Sequence, residues 1–112
     1  MEGKANEMFL DWITSKYFFK DKRYSDLNIY QKGDIGEFLR FPTTKNAYVL
    51  EWLDSIDIII EIGIHQRIGD LNMWRGKINN FIYDDLEFKV SRQEATEAAI
   101  KKAVEIYNAR LS

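Results

Sequence analysis

The sequence predicts a single α+β domain with N-terminal helices, a three-stranded antiparallel β-meander and a C-terminal amphipathic helix packed on the sheet. Two observations support this prediction. Apolar residues recur at helical spacing at both ends of the chain, whereas between them the period falls to two. The connections between the alternating segments are too short for parallel crossovers, so the strands should be antiparallel. We expect residues 1–112 to form one domain without a linker.

The composition is typical of a folded globule and excludes several classes of protein. Apolar residues make up 46% of the 112 and aromatic residues 14%, which argues against disorder. A formal charge of −2 gives no general attraction to nucleic acid or anionic lipid. The chain has no cysteine, so disulfides and thiolate chemistry are excluded. Without a signal-peptide pattern or a long apolar run, a cytoplasmic protein with no membrane partner is expected.

The N-terminal half is predicted to contain helices separated by an exposed connection. Helical spacing of large apolar residues predicts the first helix over Ala5–Phe19, and the polar stretch Lys20–Lys32 reads as a loop. A short helical turn is predicted over Gly33–Phe41, with Pro42 closing it. The next helix should run over Lys45–Ser55, with the preceding threonines as caps.

The middle of the chain is predicted to form the three strands. Isoleucines alternate with other residues in Ile58–His65, and the Gly, Asp and Asn of Arg67–Asn72 indicate a turn. The second strand should span Met73–Tyr83. After a turn at Asp84-Asp85, the third should span Leu86–Val90.

The last helix has the clearest start signal in the sequence. Ser91 followed by Glu94 forms a capping-box pattern, in which the serine oxygen accepts from exposed amides of the first turn. The predicted apolar stripe of this helix consists of Ile100, Ala103, Val104, Tyr107 and Leu111.

No motif in the sequence indicates catalysis, a metal or a cofactor. His65 is the only histidine, and Glu61 would lie about 13 Å away along a strand. One histidine without cysteine supplies few metal ligands, and Gly33-Asp34-Ile35-Gly36 lacks the remaining residues of a phosphate loop. We therefore expect a non-enzymatic protein without cofactors.

The first candidate binding segment interleaves cations with aromatic rings. Single-stranded nucleic-acid binders use this combination to neutralise phosphates and stack bases. The alternative is that Phe18 or Phe19 packs in the core while the lysines stabilise the C-terminal end of the helix. The candidate residues are Lys16, Tyr17, Lys20, Lys22, Arg23 and Tyr24.

The second candidate is the sheet face that the last helix leaves open. Aromatic residues, Met and Arg are enriched in protein interfaces, and this face should carry them. The alternative is that another helix covers it, which would give three layers. The candidate residues are Met73, Arg75, Lys77, Phe81 and Tyr83.

The C-terminal part of the chain resembles known groups of small proteins. Residues Ser91–Ala103, an alanine-rich helix behind a capping box and a Trp-bearing strand, look like the tail of many small phage and prophage accessory proteins. The strand-strand-strand-helix ending is similar to antitoxins of the HicB kind, although here helices stand in place of their leading strand and helix.

The phage resemblance implies an accessory role, including inhibition of host defence by anti-CRISPR proteins, which are commonly compact, acidic and non-enzymatic. The expectation is therefore a phage-derived inhibitor that docks on a host protein such as a nucleic acid-guided CRISPR nuclease effector. The alternatives are a small single-stranded RNA-binding protein and an antitoxin-like partner protein.

Overall fold

A computed structural model describes residues 1–111 as an α+β fold with four α-helices and a two-stranded antiparallel sheet. A π-helical turn, Thr14–Phe18, extends the first helix, and a 3-10 turn covers Tyr24–Asp26. The α-helices and strands are α1 Gly3–Ile13, α2 Ile29–Phe38, α3 Pro42–Ser55, β1 Ile60–Ile68, β2 Leu71–Ile78 and α4 Arg92–Leu111.

Two of the N-terminal helices, α2 and α3, begin earlier in the chain than predicted. The side chain of Asn28 accepts from the N–H of Gln31, whose side chain accepts from the N–H of Asn28. This capping box starts α2 at Ile29, inside the stretch predicted as loop. Pro42 occupies the first turn of α3, where its missing N–H costs nothing, so the proline begins this helix instead of only closing the one before it.

The two strands form a long hairpin whose far end is exposed. Ile68 pairs with Leu71 across a two-residue turn, in which Gly69 has a φ of +60°. A glycine with positive φ at the first central position is the pattern of a type II′ turn, whose twist suits a hairpin. Residues 63–71 are all exposed, and the molecule measures 52 × 29 × 18 Å.

The prediction of a third strand is wrong, because the chain reverses earlier than expected. Asn79 and Asn80 both have positive φ and form a tight turn closed by two hydrogen bonds between Ile78 and Phe81. β2 therefore ends at Ile78. The returning segment turns again so that Leu86 is buried in the core, and only Lys89 forms a bridge with β2, at Trp74.

The C-terminal helix packs on the sheet, as predicted, and it also contacts α1 and α3. The hydroxyl of Ser91 accepts from the N–H of Glu94 at 3.2 Å, which supplies the expected cap. The buried residues of α4 are Ala95, Ala99, Ile100, Ala103 and Val104, while Leu111 is exposed. The core joins α1, α3 and α4 through Phe9, Trp52 and their neighbours, and among these helices α4 is the one that packs on the sheet.

Membrane insertion of a helix is not indicated by residues 1–111. None of their helices combines the length and hydrophobicity that crossing a bilayer requires.

The contact between β2 and α4 depends on the absence of a side chain at Gly76. A Cβ at this position would lie 2.7 Å from the Cβ of Ala99 and 3.0 Å from Cδ1 of Ile62. Gly76→Ala should therefore destabilise the fold by about 1–3 kcal/mol, because the helix must shift away from the sheet. Urea unfolding at neutral pH measures this change.

Gly63→Ala is the matched control, since no atom lies within 4 Å of a Cβ built there. This variant should unfold at the same urea concentration as the parent protein or slightly higher. Equal stability of the two variants would contradict the close approach of α4 at Gly76.

Candidate functional site

The first candidate segment, Lys16–Tyr24, is called the basic-aromatic segment below. A carboxylate of α3 binds the first part of it. Glu51 accepts from Nζ of Lys16 at 2.9 Å and from the hydroxyl of Tyr17 at 2.5 and 2.7 Å. The Tyr17 ring packs edge-on against Tyr48 and Trp12. Lys16 and Tyr17 therefore tie the π-helical turn to α3, and a ligand would have to compete with Glu51 for them.

The hydrogen bonds of this cluster change the titration of all three groups. Donation from Tyr17 and Lys16 holds the pKa of the Glu51 carboxyl below its ordinary value. Their hydrogen bonds to Glu51 raise the pKa of the Lys16 ammonium and of the Tyr17 phenol. The cluster is thus most stable with Glu51 charged and both donors protonated.

The rest of the segment does not form one continuous surface with Lys16 and Tyr17. Lys20, Lys22 and Arg23 are exposed, and no ion pair within residues 1–111 includes them. Tyr24 is half-buried, and its N–H donates to Asp11 at 2.9 Å.

Phe18 and Phe19 are half-buried against the core, which is the arrangement given as the alternative for this segment. Lys20, Lys22 and Arg23 are therefore the cations of the segment that remain available to a ligand. Phe18 and Phe19 pack against the core instead of forming a surface beside these cations on which bases could stack.

The second candidate is the face of the hairpin that points away from α4. On the covered face, Gly76 lies against Ala99, and the guanidinium of Arg92 lies 4.9 Å from the Trp74 ring. Because side chains alternate along a strand, Met73, Arg75 and Lys77 project from the opposite face. The alternative was that another helix covers that face. Within residues 1–111 the helix that packs on the sheet is α4, and it lies on the other face.

A β-bulge in β1 brings a further apolar residue to this face. Ile64 pairs with Trp74, yet Gln66 pairs with Met73, so His65 is the additional residue of β1. The bulge reverses the alternation beyond it. Ile68 consequently faces the same side as Leu71, instead of following Ile64 towards the helix side.

The returning segment completes the surface beside β2. Lys89 pairs with Trp74, so the neighbouring residues Phe88 and Val90 lie on the opposite face, next to Arg75 and Met73. The Phe88 ring is 4.9 Å from the Arg75 guanidinium. We name the resulting surface the open sheet face, which consists of Ile68, Leu71, Met73, Arg75, Lys77, Phe88 and Val90.

Apolar side chains dominate the outer half of the open sheet face. Ile68 is 59% exposed, Leu71 46% and Val90 60%. Ile68 pairs with Leu71, and Val90 lies beside Met73, the next residue of β2 on this face. Isolated exposed apolar residues are ordinary, whereas a continuous group of them marks an interaction surface.

Arg75 is held in place on this face without a charge partner. Its Nη2 donates to the carbonyl oxygen of Tyr83 at 3.0 Å. Its Nε is buried and has no hydrogen-bond partner within residues 1–111, and no salt bridge of this part of the chain includes the guanidinium. A half-buried guanidinium without a carboxylate partner is poorly compensated, so an acidic group of a binding partner would stabilise it.

Lys77, Phe81 and Tyr83, also predicted for this face, lie in different surroundings. Lys77 is exposed on the face, opposite Glu61 of β1. Phe81 and Tyr83 lie beyond the Asn79-Asn80 turn, with their ring centroids 4.7 Å apart. Tyr83 lies beneath Nζ of Lys102 on α4, at 5.2 Å, so its ring is not part of the open sheet face.

Sequence reasoning missed Ile68, Leu71, Phe88 and Val90 as members of this face. The Asn79-Asn80 dipeptide was a usable signal for the early reversal, because asparagine tolerates the positive φ of tight turns. No comparable signal marks the bulge at His65.

His65 and the carboxylates do not form a recognisable metal centre. His65 is exposed on the hairpin with its ring 5.5 Å from that of Phe88. No group of three or more His, Asp or Glu side chains in residues 1–111 is arranged to hold a metal ion.

Comparison with known proteins assigns neither a family nor a fold relative. No protein-family model, no curated protein and no solved structure matches this chain.

The Glu51 cluster predicts a pH-dependent contribution to stability. Because the pKa of Glu51 is lowered on folding, its contribution is complete above its unfolded pKa and is lost as pH falls through its folded pKa. Because the pKa values of Lys16 and Tyr17 are raised, their contributions are complete below their unfolded pKa values and are lost as pH rises through the folded ones. The difference in unfolding free energy between the parent protein and Glu51→Gln should therefore be greatest around neutral pH and shrink on both sides.

Urea unfolding over a range of pH values measures this difference. Glu37→Gln is the control, since Glu37 forms only an exposed ion pair with Arg40 at 3.3 Å and should contribute little at any pH. A Glu51→Gln difference that does not vary with pH would show that the three-residue cluster is not formed in solution.

Proposed function

We propose that this protein is a non-enzymatic binding protein that docks on a partner protein through the open sheet face. The observation that supports this proposal most directly is the exposed apolar surface formed there by Ile68, Leu71 and Val90. Burial of such a surface supplies the main driving force of association. A core of apolar side chains beside an arginine is the composition that protein interfaces favour.

The charge on this face limits the chemistry of the partner. Arg75 lacks a carboxylate partner within residues 1–111, whereas Lys77, further along the same face, lies opposite Glu61. A partner that presents an acidic group next to an apolar surface would complement Arg75 and the apolar side chains together. α4 backs the part of the hairpin around Gly76, so little conformational entropy is lost when that part of the sheet binds.

The resemblance of the C-terminal part to phage and prophage accessory proteins suggests the kind of partner. We propose that the partner is a host defence protein, such as a CRISPR nuclease effector, and that the protein inhibits it by occupying a functional surface. This is an analogy of pattern and not of chemistry, so it requires a direct test.

Binding and cleavage assays with a panel of purified CRISPR nuclease effectors test this proposal. We expect one effector to bind and to lose cleavage activity. Leu71→Glu should weaken the binding by about tenfold or more, because a carboxylate is placed in an apolar contact.

Ile29→Glu is the matched control, since it makes the same kind of change at an exposed isoleucine of α2, outside the open sheet face. It should change affinity by less than about twofold. If Leu71→Glu and Ile29→Glu bind alike, the open sheet face is not the contact surface. If no effector in the panel binds, the proposed class of partner is wrong.

The basic-aromatic segment is the basis for the alternative of single-stranded RNA binding, and a gel shift separates the two functions. Since Lys16 and Tyr17 are engaged by Glu51, we expect no shift of single-stranded RNA at moderate salt. Tight binding that weakens steeply with salt, and is abolished by reversing the charges of Lys20, Lys22 and Arg23, would instead support the RNA-binding function.

A further inference from the structure

The outer edge of β1 presents unpaired backbone groups. Trp74 of β2 exchanges both of its backbone hydrogen bonds with Lys89, at 2.7 and 2.8 Å, so it does not bond to Ile64, its partner in β1. Ile78 likewise bonds to Phe81 and not to Ile60. The N–H and C=O groups of Ile60 and Ile64 therefore point to the free edge of the hairpin, and alternation adds those of Ile62.

The first half of this edge, residues 60–64, lacks most of the features that usually prevent pairing with another strand. Natural edge strands are commonly protected by proline, by lysine, by a β-bulge or by a covering segment. Residues 60–64 contain neither residue type, and no strand within residues 1–111 pairs with their outer edge. The bulge at His65 ends the regular edge, which leaves a short and well-defined segment for pairing.

The edge is complementary to itself in its apolar residues when two copies run antiparallel. Isoleucines occupy positions 60, 62 and 64 of β1, so they are placed symmetrically about Ile62. With Ile62 opposite its own copy, Ile60 faces Ile64 and Glu61 faces Gly63. Apolar side chains therefore meet across the interface, and no two charged residues of this segment are directly opposed.

We propose that the protein forms a symmetric dimer in which β1 pairs antiparallel with β1 of a second copy, about a two-fold axis at Ile62. Each outward N–H and C=O of Ile60, Ile62 and Ile64 then gains a partner, and the two hairpins form one four-stranded sheet. The arrangement is isologous and closed, so it ends at two copies. The open sheet face stays uncovered, and the two faces lie side by side.

Sedimentation velocity of the full chain, without any partner protein, tests the dimer independently of the proposed function. We expect a species of twice 13.3 kDa that dissociates on dilution. A species of 13.3 kDa at every concentration up to the millimolar range would overturn the dimer and leave the proposed docking function untouched.

Ile64→Pro tests whether the β1 edge is the interface. Proline removes an N–H that makes no bond within the hairpin, so the fold should survive while each copy loses a hydrogen bond to the other. Dimer dissociation should become about tenfold or more easier. Ile64→Thr, which keeps the N–H and the β-branch, is the control and should dimerise like the parent, whereas a dimer unaffected by Ile64→Pro overturns the pairing.

Discussion

The fold depends on the close approach of α4 to β2 at Gly76. Only a residue without a side chain lets Ala99 reach the strand, and Ile62 closes the same gap from β1. This contact joins the hairpin to the helical core, which α4 shares with α1 and α3. A two-stranded sheet has too little hydrophobic surface to be stable alone, so its order comes from this helix. The part of the open sheet face around Arg75 and Lys77 is consequently a pre-formed surface.

Three helices, α1, α3 and α4, and the first hairpin turn could be predicted from the sequence because their signals are local, whereas the start of α2 was predicted as loop. The spacing of Val49, Trp52 and Leu53 identifies the buried side of α3, and all three are buried. Ser91 likewise marks the start of α4 through a bond to a residue three positions later. In such cases the residues that determine the structure are near neighbours in the chain, so one sequence is enough.

The candidate site was harder to predict, because its membership depends on where alternation is interrupted. Strict alternation places Ile68 on the side of Ile64, yet the extra residue His65 moves it to the open face. Asn79 and Asn80 reverse the chain before Phe81, which removes Phe81 and Tyr83 from β2. A period count detects neither interruption, although the Asn79-Asn80 pair marks the second one through the local preference of asparagine for positive φ.

The hairpin has two different unsatisfied surfaces, and they are geometrically independent. Its face bears apolar side chains around Leu71, whereas its edge bears the backbone groups of Ile60, Ile62 and Ile64. A second copy that pairs with the edge lies in the plane of the sheet, whereas a partner that docks on the face lies above that plane. The two contacts therefore do not obstruct each other. A dimer would present two copies of the open sheet face on one rigid sheet, and binding of the second copy to a repeated partner surface would then be intramolecular. Self-association would thereby strengthen docking without any additional contact between the protein and its partner.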